Sequence, residues 1–349
     1  MSGGITQLVA LGAQDSHLVG SPEVSFFQSS YKRHTNFSSV IERQVIQNTP
    51  SAGGLSSIRF ERKGDLLSYV YLTSANGATI DSEEWATIVD KVELYIGGQL
   101  IDTQNFEYST KIHTDIMANT FSKTNFGPTP DVSNSNEGYF YPFKFWFCEN
   151  WQSALPLIAL QYHDVECRIY WNSSLPTDRT IEAWARYVYL DADERRSMAE
   201  KSMEMLIHQV QRIPNPVLKT ADLTFNHPVK FLASTANAFD TSNVVILQLN
   251  GVDVGEKKPA IPHYNQVSCY YHVPYGPSST DPGEGFESAT LMIPFCLDSS
   301  KLQPTGTCNF SRMDSARLVC SSAINADIYA VNYNILKVQN GMGGLLYAN

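Results

Sequence analysis

Asp164-Val165-Glu166-Cys167-Arg168-Ile169-Tyr170-Trp171 decides the fold class of this 349-residue chain. Successive side chains of a strand point to opposite faces, so Val165, Cys167, Ile169 and Trp171 share one side and Asp164, Glu166, Arg168 and Tyr170 the other. A strand that is half apolar and half polar belongs to an antiparallel sheet with one face on a core. The same period recurs outward in both directions. Upstream, Ile58 and Phe60 alternate with Ser57, Arg59 and Glu61. Residues 88–101 read as a hairpin with Val92, Leu94 and Ile96 on one face, and Gly97-Gly98 supplies the two positive-φ positions of a tight turn. Downstream, strands are predicted over 205–211, 223–232, 244–249 (ending in the turn pair Asn250-Gly251), 317–320 and 328–338. Pro259, Pro262, Pro274, Pro282 and Pro294 mark loops and strand ends.

Helix signals are few. Phe106, Thr110, His113, Ile116 and Met117 fit a short amphipathic helix, and Asp191 or Asp193 can cap another through 192–203. Arg212-Ile213-Pro214-Asn215-Pro216 is the expected domain boundary, because two prolines in three residues remove backbone donors and end sheet pairing. Many short strands, frequent turns and only short helices imply two β-sandwiches in tandem, over 25–212 and 221–349, joined by a linker at 213–220. Residues 1–24 carry Gly3, Gly4, Gly12, Gly20 and Pro22 without a sustained period, which reads as an irregular arm. Its Ile5, Leu8, Val9 and Leu11 suit docking on a partner. No residue-level repeat relates the two halves.

Composition agrees. Only 17% of residues are charged, while Tyr (18) and Phe (17) are abundant, a balance suited to sheet-rich structure with much buried contact surface. The net charge of −10 gives no electrostatic drive towards nucleic acid or anionic lipid. The six cysteines are scattered with no C-x-x-C pair, as expected of free thiols in a reducing cytoplasm. No signal-peptide layout and no run of roughly 18 apolar residues is present, so the protein is expected to be soluble when made and not to insert in a membrane.

Catalytic patterns are absent: there is no P-loop, H-E-x-x-H or G-x-S-x-G, and no catalytic, cofactor-binding or metal-binding residue is assigned. Gly341-Met342-Gly343-Gly344 reads as a flexible terminal turn, since no helix follows it to bind phosphate. His163-Asp164 cannot pair mutually if both lie in one strand. Asp164 and Glu166 could hold a cation, but Arg168 on the same face favours a cross-strand ion cluster. Tyr31-Lys32-Arg33-His34 has too few charges for a nucleic-acid footprint. The sequons at Asn36, Asn172 and Asn309 carry little weight without a secretory route.

Two end signatures carry a resemblance. One is Gly4-Ile5-Thr6-Gln7-Leu8-Val9-Ala10-Leu11-Gly12-Ala13-Gln14-Asp15 with Tyr31-Lys32-Arg33-His34-Thr35-Asn36-Phe37. The other is Gln303-Pro304-Thr305-Gly306-Thr307-Cys308-Asn309-Phe310-Ser311-Arg312 with Ala330-Val331-Asn332-Tyr333-Asn334. Between them stand Asp90-Lys91-Val92-Glu93, Leu155-Pro156-Leu157-Ile158-Ala159-Leu160-Gln161-Tyr162-His163-Asp164, Glu194-Arg195-Arg196 and Phe225-Asn226-His227-Pro228. Together they resemble the major capsid proteins of nucleocytoplasmic large DNA viruses of algae and protists. The resemblance implies an all-β fold of two tandem eight-stranded jelly rolls. It also implies a homotrimer forming a pseudo-hexagonal capsomer, contacts with neighbouring capsomers and with minor capsid and penton proteins, and a place in the virion after synthesis in host cytoplasm. The chain is shorter than is common in that family, with a brief segment at 250–303 and a poor match over 252–264. Alternatives from the same residues are a transient scaffold of immature virions, a glycan-binding sandwich and a cupin-like enzyme, the last lacking clustered histidines.

Overall fold

The computed structural model describes residues 3–75, 82–124, 140–176, 180–235, 239–275 and 290–348; Pro282 lies outside them. Two sets of eight strands carry the architecture. The first is β1 (Phe37–Gln44), β2 (Leu55–Phe60), β3 (Leu66–Ser74), β4 (Val89–Ile96), β5 (Gln99–Asn105), β6 (Phe140–Pro142), β7 (Val165–Trp171) and β8 (Ile181–Leu190). The second is β9 (Met203–Ile213), β10 (Leu218–Asp222), β11 (Pro228–Ser234), β12 (Val244–Leu249), β13 (Val252–Asp253), β14 (Leu291–Pro294), β15 (Ala316–Ile324) and β16 (Ile328–Gln339). Hydrogen bonding orders the first set as β1-β8-β3-β6 and β2-β7-β4-β5, and the second as β9-β16-β11-β14 and β10-β15-β12-β13. Each strand of the second set takes the place of the strand eight positions earlier. The repeat invisible in the residues is therefore complete in the topology: two antiparallel jelly rolls, each with its first strand beside its last.

The strand that opened the sequence reading sits inside its sheet. In β7, Ile58 and Leu94 flank Cys167 from either side, and Val165, Cys167, Ile169 and Trp171 are buried. The β4–β5 turn is made by Gly97 and Gly98 with φ of 58° and 80°, as the pair requires. A Cβ on Gly97 would stand 2.3 Å from His163 Nδ1, so glycine is needed there for space as well as for φ. Asp191 caps the helix Ala192–Glu200 by accepting the Ala192 N–H at 2.9 Å.

Four expectations change. The strand predicted over 223–232 begins only at Pro228: residues 223–227 lie in no strand, and the chain turns at His227 (φ 66°) before entering the sheet over Pro228–Ser234. The residues around Phe106–Met117 do form a helix, Tyr108–Met117, but it is buried on nearly every side instead of presenting a polar face to water. The glycines near the C-terminus are not a loose turn: Met342–Leu345 pairs with the end of β16. Residues 3–9 and 16–19 of the arm are short helices, and the compact N-terminal unit extends to Asn36, leaving Ile5, Leu8, Val9 and Leu11 exposed.

The boundary at Pro214–Pro216 also moves. β9 pairs rung by rung with β16, from Met203↔Val338 to Ile213↔Ile328. It is thus the first strand of the second roll, although the sequence reading placed it in a first domain of 25–212. The prolines do end a strand, but alternation cannot tell which sheet that strand joins. The joint between the rolls is instead the stretch between β8 and β9, carrying the helix Ala192–Glu200.

Each roll has its own core. Val229, Leu232, Val245, Leu247, Leu318 and Ala330 fill the second. The first holds Trp85, Leu94, Cys167 and Ala185, and it also takes Ile207, Leu336 and Val338 from the far ends of β9 and β16. Replacing Leu336 by Ala should cost about 2–5 kcal/mol. Because Leu336 packs in the first core, the loss should appear in denaturant unfolding followed at Trp85 and Trp171; an unchanged midpoint would show that the strand end does not support that core.

Candidate functional site

The strands meet along a seam, and the sequence leads there through one helix. Tyr108–Met117 leaves the connection from β5 to β6 and lies on the outer face of the sheet β9-β16-β11-β14. Its Tyr108, Ile112, Ile116 and Met117 form one apolar cluster with Phe231, Ala233, Met292, Tyr329 and Val331. In β11 and β16 these residues alternate with Leu232 and Ala330 of the second core, so the sheet is apolar on both faces. That is the pattern of a sheet covered from both sides.

Polar groups in and beside the seam are paired, some of them across it. Asn105 Nδ2 donates to the Tyr329 hydroxyl at 2.6 Å, and that hydroxyl lies 3.2 Å from Asp327 Oδ2. Asp327 also accepts from Arg212 Nε at 2.5 Å and from the Asn215 N–H at 2.9 Å. Ser299 Oγ donates to the Ile116 carbonyl at 2.6 Å. Asp102 in β5 accepts the β9 amide of Val210 at 2.8 Å and Gln104 Nε2 at 2.8 Å. Burial pushes the Asp102 carboxyl up to about 7 against the pull of these donors. Deeper in, Glu149 lies 3.2 Å from His113 Nε2 and 3.3 Å from Lys123 Nζ. Burial raises its carboxyl, yet His113, Lys144 and Lys123 outweigh that and hold it well below the usual carboxylate range. Burial lowers His113 in turn, against the pull of the Glu149 carboxylate beside it.

The closing strand adds a clamp. Tyr162 donates its N–H to the Gly341 carbonyl at 2.9 Å, His163 Nδ1 lies 2.8 Å from the Gly343 carbonyl, and Leu345 N–H reaches Gln99 Oε1 at 3.2 Å. A Cβ on Gly343 would come within 2.5 Å of Leu160 Cδ2, so glycine lets the tail lie close against loops of the first roll. His163 is thereby a tether, while its neighbour Asp164 pairs with Arg59 at 2.6 Å. Glu166 pairs with Arg168 at 3.0 Å along the same strand, so of the expected cross-strand ion cluster only Arg59–Asp164 reaches a neighbouring strand as an ion pair, while Arg168 stacks over Tyr95 of β4. The structure does not bring His163, Asp164 and Glu166 into one site. All six cysteines are free thiols. Among the described residues no group of three His, Cys, Asp or Glu side chains is placed to hold a metal. The sequence reading missed Asp102, Tyr329 and Asp327, since a polar residue in or beside a strand carries no local sign that a second domain will cover it.

Two jelly rolls joined through an apolar, hydrogen-bonded seam define a double jelly roll. Comparison with known proteins gives this fold its family. Residues 25–199 match the family described as "Major capsid protein N-terminus" and residues 233–344 that described as "Large eukaryotic DNA virus major capsid protein". The chain is 36% identical to the major capsid protein of Pyramimonas orientalis virus and 29% identical to that of Paramecium bursaria Chlorella virus 1, each over the full length of both chains. Among solved structures, the PBCV-1 VP54 structure fitted into a reconstruction of the virophage Sputnik superposes with a TM-score of 0.79 at 26% identity, covering 93% of this chain and 100% of that one. The Faustovirus major capsid protein shares the fold with a TM-score of 0.66 at 10% identity. This chain belongs to the family of major capsid proteins of large eukaryotic DNA viruses.

The seam carries a pH dependence. Asp102 titrates at 3.8 when unfolded and at about 7 when folded, so its contribution is full below pH 4 and is lost as pH rises through 7. Melting temperatures recorded from about pH 5 to 8 should fall with rising pH, and Asp102→Asn should remove that component; an identical slope in the variant would place the titration elsewhere. Tyr329→Phe deletes a hydroxyl that bonds Asn105 and Asp327 and should cost about 1–3 kcal/mol in urea unfolding.

Proposed function

We propose that three copies of this chain form a capsomer in which six jelly rolls make a pseudo-hexagonal block that tiles an icosahedral shell. The observation that supports it most is the equivalence of the two rolls, strand for strand, in a single rigid seam. Six similar wedges surround an axis with one repeated kind of contact, although only three chains are present. Within the chain the working division is an arm to Asn36, a first roll over 37–190, a connecting stretch over 191–202 and a second roll over 203–349. The role is architectural, without turnover of a substrate, and no nucleophile, base and orienter converge among the described residues.

Partners follow from the surfaces. Neighbouring capsomers, minor capsid proteins and penton proteins are the contacts of such a block, and a chain of net charge −10 suits a shell that does not touch the genome directly. Synthesis in host cytoplasm fits six unpaired thiols. Ile5, Leu8, Val9 and Leu11 of the arm are exposed, and burying each large apolar side chain on a partner would contribute roughly 1.5–3 kcal/mol.

Light scattering on the purified chain should give the mass of a trimer without added metal or cofactor; a monomer that does not grow on concentrating would refute the capsomer. Deleting residues 1–24 should leave trimer mass and melting temperature nearly unchanged while abolishing shell assembly. Normal shells from the truncated chain would make the arm dispensable, and loss of the fold would make it part of the core.

A further inference from the structure

The in-chain seam has an unfilled counterpart. In the first roll, the helix on the connection from β5 to β6 is seated on the outer face of the second roll's sheet β9-β16-β11-β14, and only Lys111 of its ten residues escapes burial. The topologically equivalent connection of the second roll runs from β13 to β14 and is also helical, over His263–Val267 and Ser268–His272. One side of it rests on its own roll: Cys269 and Val273 join the seam cluster, and Ser268 Oγ donates to the Met292 carbonyl at 3.0 Å. Its other side is bare. Tyr270 is 80% and Tyr271 70% exposed, their rings meet edge to face with centroids 4.9 Å apart, and Val267 is exposed beside them.

The equivalent receiving face is β1-β8-β3-β6 of the first roll. Ala183, Ala185 and Tyr187 of β8 and Val70 and Leu72 of β3 point into the core, so Trp184, Tyr69 and Tyr71 point out. They are joined by Ile41 and Phe140, both exposed. This outward face is already ordered: Trp184 Nε1 donates to Thr73 Oγ1 at 3.1 Å, and Tyr71 meets Phe140 edge to face with ring centroids 6.0 Å apart. Its counterpart on the second roll carries Phe231, Met292, Tyr329 and Val331 and is covered by a helix; this one is aromatic and pre-arranged, with Ile41 and Phe140 exposed on it.

We propose that the Val267–Tyr270–Tyr271 surface of one chain docks on the Tyr69–Tyr71–Trp184 face of a second copy. The in-chain contact is the template, since the first roll's helix on the second roll's sheet becomes, between chains, the second roll's helix on the first roll's sheet. The contact is head-to-tail, and alternating with the in-chain one it closes after three chains into a ring of six rolls. Paired tyrosines at the centre of an interface supply large rigid contact area at little entropic cost. The inference rests on the trimer reading above and names the residues that make it.

The test is the full-length double variant Tyr270→Ser/Tyr271→Ser beside Ile41→Glu, which lies on the receiving face; all three side chains are exposed, so the monomer should keep its circular dichroism. Each variant should raise the concentration for half-dissociation of the trimer by about tenfold or more. Hydrogen exchange on assembling wild-type chain should show protection concentrated at 263–275, 66–74 and 181–190. Variants that trimerise as tightly as wild type, or protection elsewhere, would overturn this contact while leaving the capsomer intact. Variants that trimerise normally yet fail to build shells would assign the tyrosines to a different protein and overturn it too. A wild-type chain that stays monomeric would remove the trimer reading itself.

Discussion

The ladder between β9 and β16 holds the two halves of this protein in one frame. It runs without a register break from Met203↔Val338 to Ile213↔Ile328, and its two ends serve different cores. Ile207, Leu336 and Val338 pack into the first roll, Ile328 and Ala330 into the second, and Tyr329 and Val331 into the seam between them. A pair of strands stiffened by a continuous ladder cannot hinge where one core gives way to the next. The rolls therefore behave as one block, which is what a tile in a shell has to be.

The seam shows how this protein treats buried charge. Tyr329, Asp327, Arg212 and Asn105 complete one another's hydrogen bonds, and Glu149 is balanced by His113, Lys144 and Lys123. The bonds that cross between the rolls, Asn105 to Tyr329 and the Val210 amide to Asp102, penalise a misplaced roll, because a shift would leave these buried groups without partners. Packing of the Tyr108–Met117 helix supplies the attraction, and the polar groups fix the relative setting. The tail strand Met342–Leu345, bonded to Tyr162, His163 and Gln99, ties the end of the second roll back to the first.

The same geometry explains the unusual surface. A low charged fraction and many tyrosines would be a liability in a monomer, where large apolar patches promote indiscriminate association. Here the aromatic side chains gather on the outer sheet of the first roll and on the helices of the second.

The sequence by itself determined the strands, their faces and most of their turns. Alternation in Val165–Trp171 and glycines at 97 and 98 depend only on the geometry of an extended backbone, so local residues suffice. The end signatures and the motifs between them were enough to place the chain in its family. Only the tertiary structure decided which sheet each strand joins. Met203–Ile213 reads as a good strand in either roll, and it belongs to the second because β16 offers it eleven partners. The closing glycines read as a loose turn until Leu160 and His163 stood against them. Asp102 and Asp327 lie just outside the strands read from alternation and Tyr329 inside one, and nothing local marks any of them, since burial between domains depends on chain segments more than a hundred residues away. The repeat of the two rolls was hidden for the same reason: topology is set by long-range pairing, and many unrelated side chains can satisfy one pairing order.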